Sequence, residues 1–279
     1  MICLFASILL ELPSWLEWTW LVSIMLITGI PHGATDHLIF WHKQKQAGKS
    51  TAWISFLVPY LLQIAMYAFL WWIFPALSLL IFLLLSFYHF GQSELYYLAL
   101  PEGHIFKRIL YLLWGSGIMG VLLLAHRAET LMYIEEVINQ QQAAFVNDID
   151  WRWMIAVWSF WLGGMLIAWQ SQYLMWPELL REILVSSLLI ACMIYCSLWV
   201  AFGLYFGLWH ATKTIRTEIQ MLDESSEARF SVKEWIRQAL PFSLVSFVGI
   251  LLLGAVWWFW GGDWHPVFLF FVAVSVLTL

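Results

Sequence analysis

The sequence predicts an all-α, polytopic integral membrane protein, a bundle of about seven to eight transmembrane helices forming one domain over residues 1–279. Three observations carry this prediction. The chain is 62% hydrophobic and only 11% charged, where soluble domains carry about a quarter charged residues, so too little charge is present to cover a water-facing surface. The apolar residues fall in runs near the ~20 residues that one helical crossing needs. Nearly all the lysine and arginine falls between those runs.

Taken in order, the first run is Trp18–Trp41. Ala52–Phe74 and Ala76–Leu98 follow with only Pro75 between them, which predicts a tight helical hairpin. Ile109–Leu124, Met154–Gln170, Ile183–Trp209 and Ala239–Trp260 complete seven candidates. An eighth, Pro266–Leu279, is too short to cross and ends abruptly, a pattern that allows for a chain cut at that point. The opening residues "MICLFASILLEL" have no positive start and carry Glu11, unlike a cleavable signal peptide. No internal repeat or low-complexity linker interrupts the chain.

The connecting segments set the expected orientation. Lys43, Lys45 and Lys49 form one basic loop, and Lys213, Arg216, Arg229, Lys233 and Arg237 mark another. Basic loops stay cytoplasmic, and the expected location is the cell's inner (plasma) membrane, crossed several times. The acidic segment Glu129–Asp150 then faces the other side, as does Gly261–His265. Seven full crossings do not put both basic loops on one side, so one run either fails to cross or is broken in two. The net charge of −5, with no basic stripe, argues against nucleic acid as a partner. Cys3, Cys192 and Cys196 lack metal-site spacing and no disulfide framework is expected. Oligomeric state is not encoded in any of these patterns.

The 21 tryptophans cluster near run ends, as in "WLEWTW", "LWWIF" and "WWFW". They fit an aromatic belt at the lipid headgroups, or a wall for a flat conjugated ligand. Gly115, Gly117, Gly120, Gly163 and Gly164 supply small surfaces at which helices can approach closely.

Histidines carry the functional signal. His42, His104, His126 and His265 lie near run ends or in loops, where a solvated or interfacial role is expected. The stretch "GIPHGATDHLIFWH", Gly29–His42, instead places His32, Asp36 and His37 where a lipid-facing residue would stand. His89 in "FYHFGQSEL" and His210 in "YFGLWHATKT" likewise lie inside apolar runs. An ionisable group at membrane depth costs ~3 kcal/mol on insertion scales and survives by facing the bundle interior. Neutral imidazole is the commonest metal ligand, so three such groups on three runs suit a metal held between helices. Separate histidines bonded to backbone or hydroxyls, a bis-histidine haem and a proton relay remain alternatives. Asp36, four residues after His32, and Glu94, five after His89, are candidates to orient a ligating ring or to ligate directly. Pro31 and Gly33 loosen the backbone beside them, which is tolerated at depth where a cavity is lined. A nitrogen and carboxylate site with open positions suits ferrous iron, and zinc also fits.

These same blocks carry a resemblance. "GIPHGATDHL", "FYHFGQSEL" and "YFGLWHATKT" resemble, in order, three signature blocks of the Brp/Blh family of membrane-bound β-carotene 15,15′-dioxygenases, and "GIMGVLLLAHRAETLMYI" over Gly117–Ile134 is similar more weakly. The resemblance implies an all-helical bundle holding Fe(2+) through His32, His89 and His210, which cleaves the central double bond of β-carotene with O2 to give two retinals. The chain departs from the family where a further iron-binding histidine is expected one helical turn after His210 and Thr214 stands instead. The second block also has Glu94 where aspartate is usual. Phe87, Tyr88, Phe90, Tyr205 and Trp209 flank the histidines and are candidates to contact a polyene, or simply to pack the runs. Rival readings are a carotenoid- or retinal-binding protein without turnover, an altered paralogue, and a haem- or metal-handling membrane protein. A covalent retinal pigment is disfavoured, because every lysine lies in or beside a loop.

Overall fold

A computed structural model describes residues 12–49, 53–138, 140–143, 146, 148–224 and 230–260. All regular structure among them is helical. In chain order the helices are α1 (Ser14–Ile24), α2 (Ile30–Gly33), α3 (Asp36–Gln46), α4 (Trp53–Ile73), α5 (Pro75–Leu95), α6 (Ile105–Ala125), α7 (Arg127–Val137), α8 (Gln140–Ala143), α9 (Trp151–Gln170), α10 (Trp176–Tyr195), α11 (Leu198–Phe202), α12 (Ala211–Glu224) and α13 (Val232–Trp260). Two π-helical segments, Met25–Gly29 and Gly203–His210, interrupt this series.

Five described helices are long and apolar enough to cross a membrane: Ile54–Ile73, Pro75–Leu95, Ile105–Ala125, Trp151–Gln170 and Val232–Leu252. Their outward faces are apolar, with Ile54, Phe160, Val245 and Leu251 among the most exposed side chains. Two predicted runs are broken. Trp18–Trp41 passes through the first π segment and a turn at Ala34–Thr35, and Ile183–Trp209 is interrupted by extended backbone at Cys196 and Ser197. The first break lies beside Pro31 and Gly33, where a loosened backbone is expected, whereas the second sits in apolar sequence that hydropathy alone reads straight across. Pro266–Leu279 and His265 lie outside the described residues.

The helix ends follow from local chemistry. Pro75 opens α5, where its missing N–H costs nothing, and the Tyr67 hydroxyl donates across the preceding break to the Ser78 carbonyl at 2.7 Å. Asp150 caps α9 by accepting the Arg152 amide at 2.7 Å. Glu178 reaches back to the Met175 amide at 2.6 Å and closes the first turn of α10. The tryptophans divide. Trp15, Trp72, Trp153 and Trp176 stand exposed near helix ends, as headgroup anchors do, while Trp71, Trp114 and Trp161 are buried.

The chain divides into two compact units, one of Met1–Leu21 with Leu80–Tyr205 and one of Val22–Leu79 with Phe206–Leu279. In the first, α6 is the central helix. The Gly91 position on α5 lies so close to it that a Cβ would fall 1.8 Å from the Tyr111 carbonyl oxygen, and a Cβ at Gly115 would fall 1.9 Å from that of Phe87. The two backbones therefore touch where these glycines cross. Gly117 receives the Trp158 ring, Gly120 the Met154 side chain and Gly164 that of Leu110, as small residues at contacts should, whereas Gly163 faces open space. The Trp114 indole donates to Ser186 Oγ at 3.0 Å and joins α6 to α10. Lys107, 2% exposed, donates to the Tyr96 and Leu100 carbonyls and to Glu102 at 2.7–3.0 Å, which ties the loop after α5 to α6. That engaged ammonium is unsuited to a Schiff base.

Candidate functional site

The second unit brings two of the predicted histidines together. His32 and His210 meet edge to face, their ring centroids 5.5 Å apart and their planes at 88°. His210 is buried at 2% exposure, and Phe206 packs against both rings at 5.5 and 5.6 Å.

The sequence builds this pair through its two π segments. Pro31 has no N–H to return to the Ile27 carbonyl, so the helical ladder must loosen just before it, and Met25–Gly29 is the widened turn. The second π segment ends on His210 itself. The two stretches are fastened together. Thr28 Oγ1 lies 2.9 Å from the Ile24 carbonyl and 2.8 Å from that of Gly207, and a foreign hydroxyl on a backbone carbonyl is one known cause of a distorted ladder. The Cβ position at Gly207 lies 2.7 Å from Ile24, and that at Gly29 lies 2.8 Å from Met25 Sδ and 3.3 Å from Phe206. Glycine at both places permits the approach.

The chemistry of His32 is set by its backbone. Its Nδ1 contacts the Gly29 carbonyl. A carbonyl only accepts, so Nδ1 carries the hydrogen and Nε2 keeps the lone pair. That is the arrangement of a metal-ligating histidine, whose distal N–H is held by a backbone or carboxylate oxygen. The donor set of the pair thus fits a borderline metal ion.

A buried polar link continues from the pair. Thr35, fully buried, places its hydroxyl 3.0 Å from the His32 carbonyl and 2.7 Å from Glu218 Oε2, and the Trp235 indole donates to the same oxygen at 3.1 Å. Glu218 stands two turns beyond His210 on α12. Its partners Thr35 and Trp235 lie 183 and 17 positions away, so no local spacing in the sequence points to it. His37 is turned elsewhere. It is buried among Phe242, Trp41 and Phe56, at ring centroid distances of 4.1, 5.0 and 6.3 Å.

The remaining predicted residues are placed as follows. His89 lies partly buried on α5 in the first unit, with its ring 5.9 Å from that of Phe90, and Glu94 on the same helix is 3% exposed. Phe90 and Tyr205 are packed in that unit's core, 5.2 Å apart, with Trp114 at 6.2 Å from Tyr205. Thr214 is half-buried one turn after His210. The Asp36 side chain lies outside the described part of the structure. Among the described residues, no three His, Cys, Asp or Glu side chains form a metal-holding group. Two histidines near helix ends are engaged by the fold: His104 caps α6 by accepting the Phe106 amide, and His126 Nε2 lies 3.0 Å from the Met193 carbonyl.

Among the described residues, an all-helical arrangement with five membrane-length apolar helices, and a close pair of imidazoles of which His210 is buried, define a helical membrane protein. Comparison with known families makes the class specific. The model of the β-carotene 15,15′-dioxygenase family matches residues 23–279, and the chain belongs to that family. A β-carotene 15,15′-dioxygenase from uncultured marine bacterium 66A03 is 37% identical over 79 residues, 28% of this chain and 28% of that protein's length. No solved structure matches the chain.

Proposed function

We propose that the protein is a carotenoid dioxygenase of the plasma membrane that takes β-carotene from the bilayer and, with O2, splits its central double bond into two molecules of retinal. The observation that carries this reading is the His32–His210 pair, built from two of the blocks that resemble the family and lying within the matched residues 23–279.

The overall reaction balances within its two substrates. The carbon–carbon double bond is broken, each carbon takes one oxygen atom, and the four electrons released by the two carbons reduce O2. No external reductant is needed. Both substrates partition into hydrocarbon, which supports a site among apolar helices.

His32 and His210 would hold ferrous iron, with His89 as the third ligand that the resemblance assigns and Asp36 or Glu94 as carboxylates that orient or complete the set. When bound, iron supplies the means of activating O2, which reacts with an alkene only slowly on its own. The protein's own share is placement. The Gly29 carbonyl fixes the His32 tautomer, Phe206 packs both rings, and burial of His210 excludes water. No side chain need act as general acid or base, since no proton is transferred in the balanced reaction.

Expression in β-carotene-producing cells tests the reading. Loss of orange colour with retinal identified by chromatography is the expected result. Colour retained at wild-type intensity, with the protein present in the membrane, would overturn it. Thr214, in place of the family histidine, favours a second reading of an altered paralogue that binds the carotenoid without cleaving it. Co-purification of unbroken carotenoid is its signature.

A further inference from the structure

We propose that Glu218 is a positioning residue for the imidazole pair, acting through Thr35. The inference rests on the reading of His32 and His210 as ligands and adds to it the element that holds their two segments in register.

Three observations within the second unit support it. Glu218 is a carboxylate at only 7% exposure, flanked by Thr35 at 0% and Trp235 at 5%. A buried carboxylate is costly unless hydrogen bonds hold it, and here Oε2 takes the Thr35 hydroxyl at 2.7 Å and the Trp235 indole at 3.1 Å. One oxygen thus joins the turn that follows His32, the helix that follows His210, and α13.

The second observation is the reach of Thr35. The same hydroxyl lies 3.0 Å from the His32 carbonyl. A hydroxyl has one hydrogen, and here it is shared between two acceptors, the shorter contact being to Glu218. Thr35 thus links the backbone of His32 to Glu218 through that shared hydrogen. The turn at Ala34–Thr35 is where the helical ladder stops and restarts, which makes it the joint whose angle aims the His32 ring.

The third is the complementary fastening on the other side of the pair, where Thr28 binds the Gly207 carbonyl at 2.8 Å. Thr28 precedes His32 by one turn and Gly207 precedes His210 by nearly one. Thr35 and Glu218 follow the two histidines. The pair is thus clamped before and after by threonine hydroxyls that cross from one segment to the other. The link behind it buries a carboxyl group, where an apolar contact of the same shape would serve packing alone.

The test uses the full chain in detergent micelles. Ferrous iron and cobalt(II) are titrated into wild type, Thr35→Val, Thr35→Ser, Glu218→Ala and the Thr35→Val/Glu218→Ala double variant, and the histidine ring nitrogens are followed by NMR of isotope-labelled protein without metal. Outer contacts of this kind change metal affinity by ~10–100-fold. Thr35→Val and Glu218→Ala are each expected to weaken metal binding about tenfold and to shift the His32 ring signals. The double variant should be no weaker than the weaker single variant, and Thr35→Ser should match wild type. Thr35→Val nearly preserves shape, so it carries the test if Glu218→Ala fails to fold. Wild-type affinity together with unchanged His32 signals in both single variants would overturn the proposal and leave the metal reading standing. Wild type that binds neither ion would overturn the metal reading. The positioning role would then stand or fall on the His32 signals alone.

Discussion

The His32 and His210 rings meet edge to face with their centroids 5.5 Å apart, although they lie 178 positions apart in the chain. His210 ends one π-helical segment and His32 lies three residues beyond the other, and the two segments are bonded to one another through Thr28 and Gly207. Such widened turns are uncommon and concentrate at functional sites, because they re-aim side chains that a regular helix would hold on another face.

If this pair holds iron, removing either ring should remove both metal and turnover. His32→Ala and His210→Ala are expected to lower retinal formation to background and bound iron by at least tenfold, with the protein still inserted in the membrane. His89→Ala should do the same if the third ligand is the one the resemblance assigns. Metal analysis of purified protein and retinal chromatography provide the readouts. Wild-type turnover in His89→Ala would show that His89 is not a ligand. Asp36→Asn is expected to weaken activity only partly if Asp36 orients a ring.

Much of this was readable in advance, and the failures have physical causes. Ile54–Ile73 and Ile105–Ala125 stand out because proline, charge or a loop bounds an apolar run on each side. His32 and His210 stand out because an imidazole in such a run is expensive. The interruption at Ala34–Thr35 is foreshadowed by Pro31 and Gly33, whereas the one at Cys196–Ser197 is not, since the apolar pattern continues there while the backbone departs from the helix. Glu218 was hidden for a different reason. Its partners Thr35 and Trp235 are 183 and 17 positions away, and no local spacing encodes a bond of that kind. Phe206 was overlooked between Tyr205 and Trp209, because which ring of an aromatic run faces the pair depends on the π-turn.

The glycines give a prediction about folding. At Gly91 a methyl group would meet the Tyr111 backbone at 1.8 Å, and a backbone cannot rotate out of the way as a side chain does. Gly91→Ala should force α5 and α6 apart and destabilise the protein by ~1–3 kcal/mol or more, the usual range for overpacking. Gly163 on α9 has nothing within 4 Å of its Cβ position, so Gly163→Ala should be neutral or stabilising by up to ~1 kcal/mol through helix propensity. Thermal unfolding of the two variants in one detergent compares them directly. Equal midpoints would show that the α5–α6 crossing is looser than described.

A pH prediction follows from Asp150. Its carboxylate accepts the Arg152 amide and pairs with the Arg152 guanidinium at 2.6–2.8 Å, and the Arg152 side chain first, then its amide, hold the Asp150 pKa below the usual aspartate value. A depressed folded pKa means that the cap is fully present above the unfolded aspartate range and is lost as pH falls through the lower, folded value. The Arg152 amide proton resonance should therefore titrate in one step with a midpoint below ~3.9, the ordinary aspartate pKa. Asp150→Asn should keep the α9 cap and abolish the step. A midpoint at or above the ordinary value would show that the ion pair does not form in solution.

Thr214 offers the sharpest test of whether this chain is a working enzyme or a weakened one. It stands one turn after His210 on α12, half-buried, at the position where the family resemblance leads one to expect a histidine. A hydroxyl is a poor neutral ligand for ferrous iron, whereas imidazole suits it. If metal affinity limits the protein, Thr214→His should raise iron affinity by about tenfold, equivalent to ~1.4 kcal/mol, and turnover should rise with iron occupancy at low iron. At saturating iron the two proteins should then converge, because the substitution changes loading and leaves the remaining ligands alone. A variant that binds iron no better than wild type, with helix content and membrane insertion intact, would show that residue 214 is outside the reach of the metal and that Thr214 costs the protein nothing.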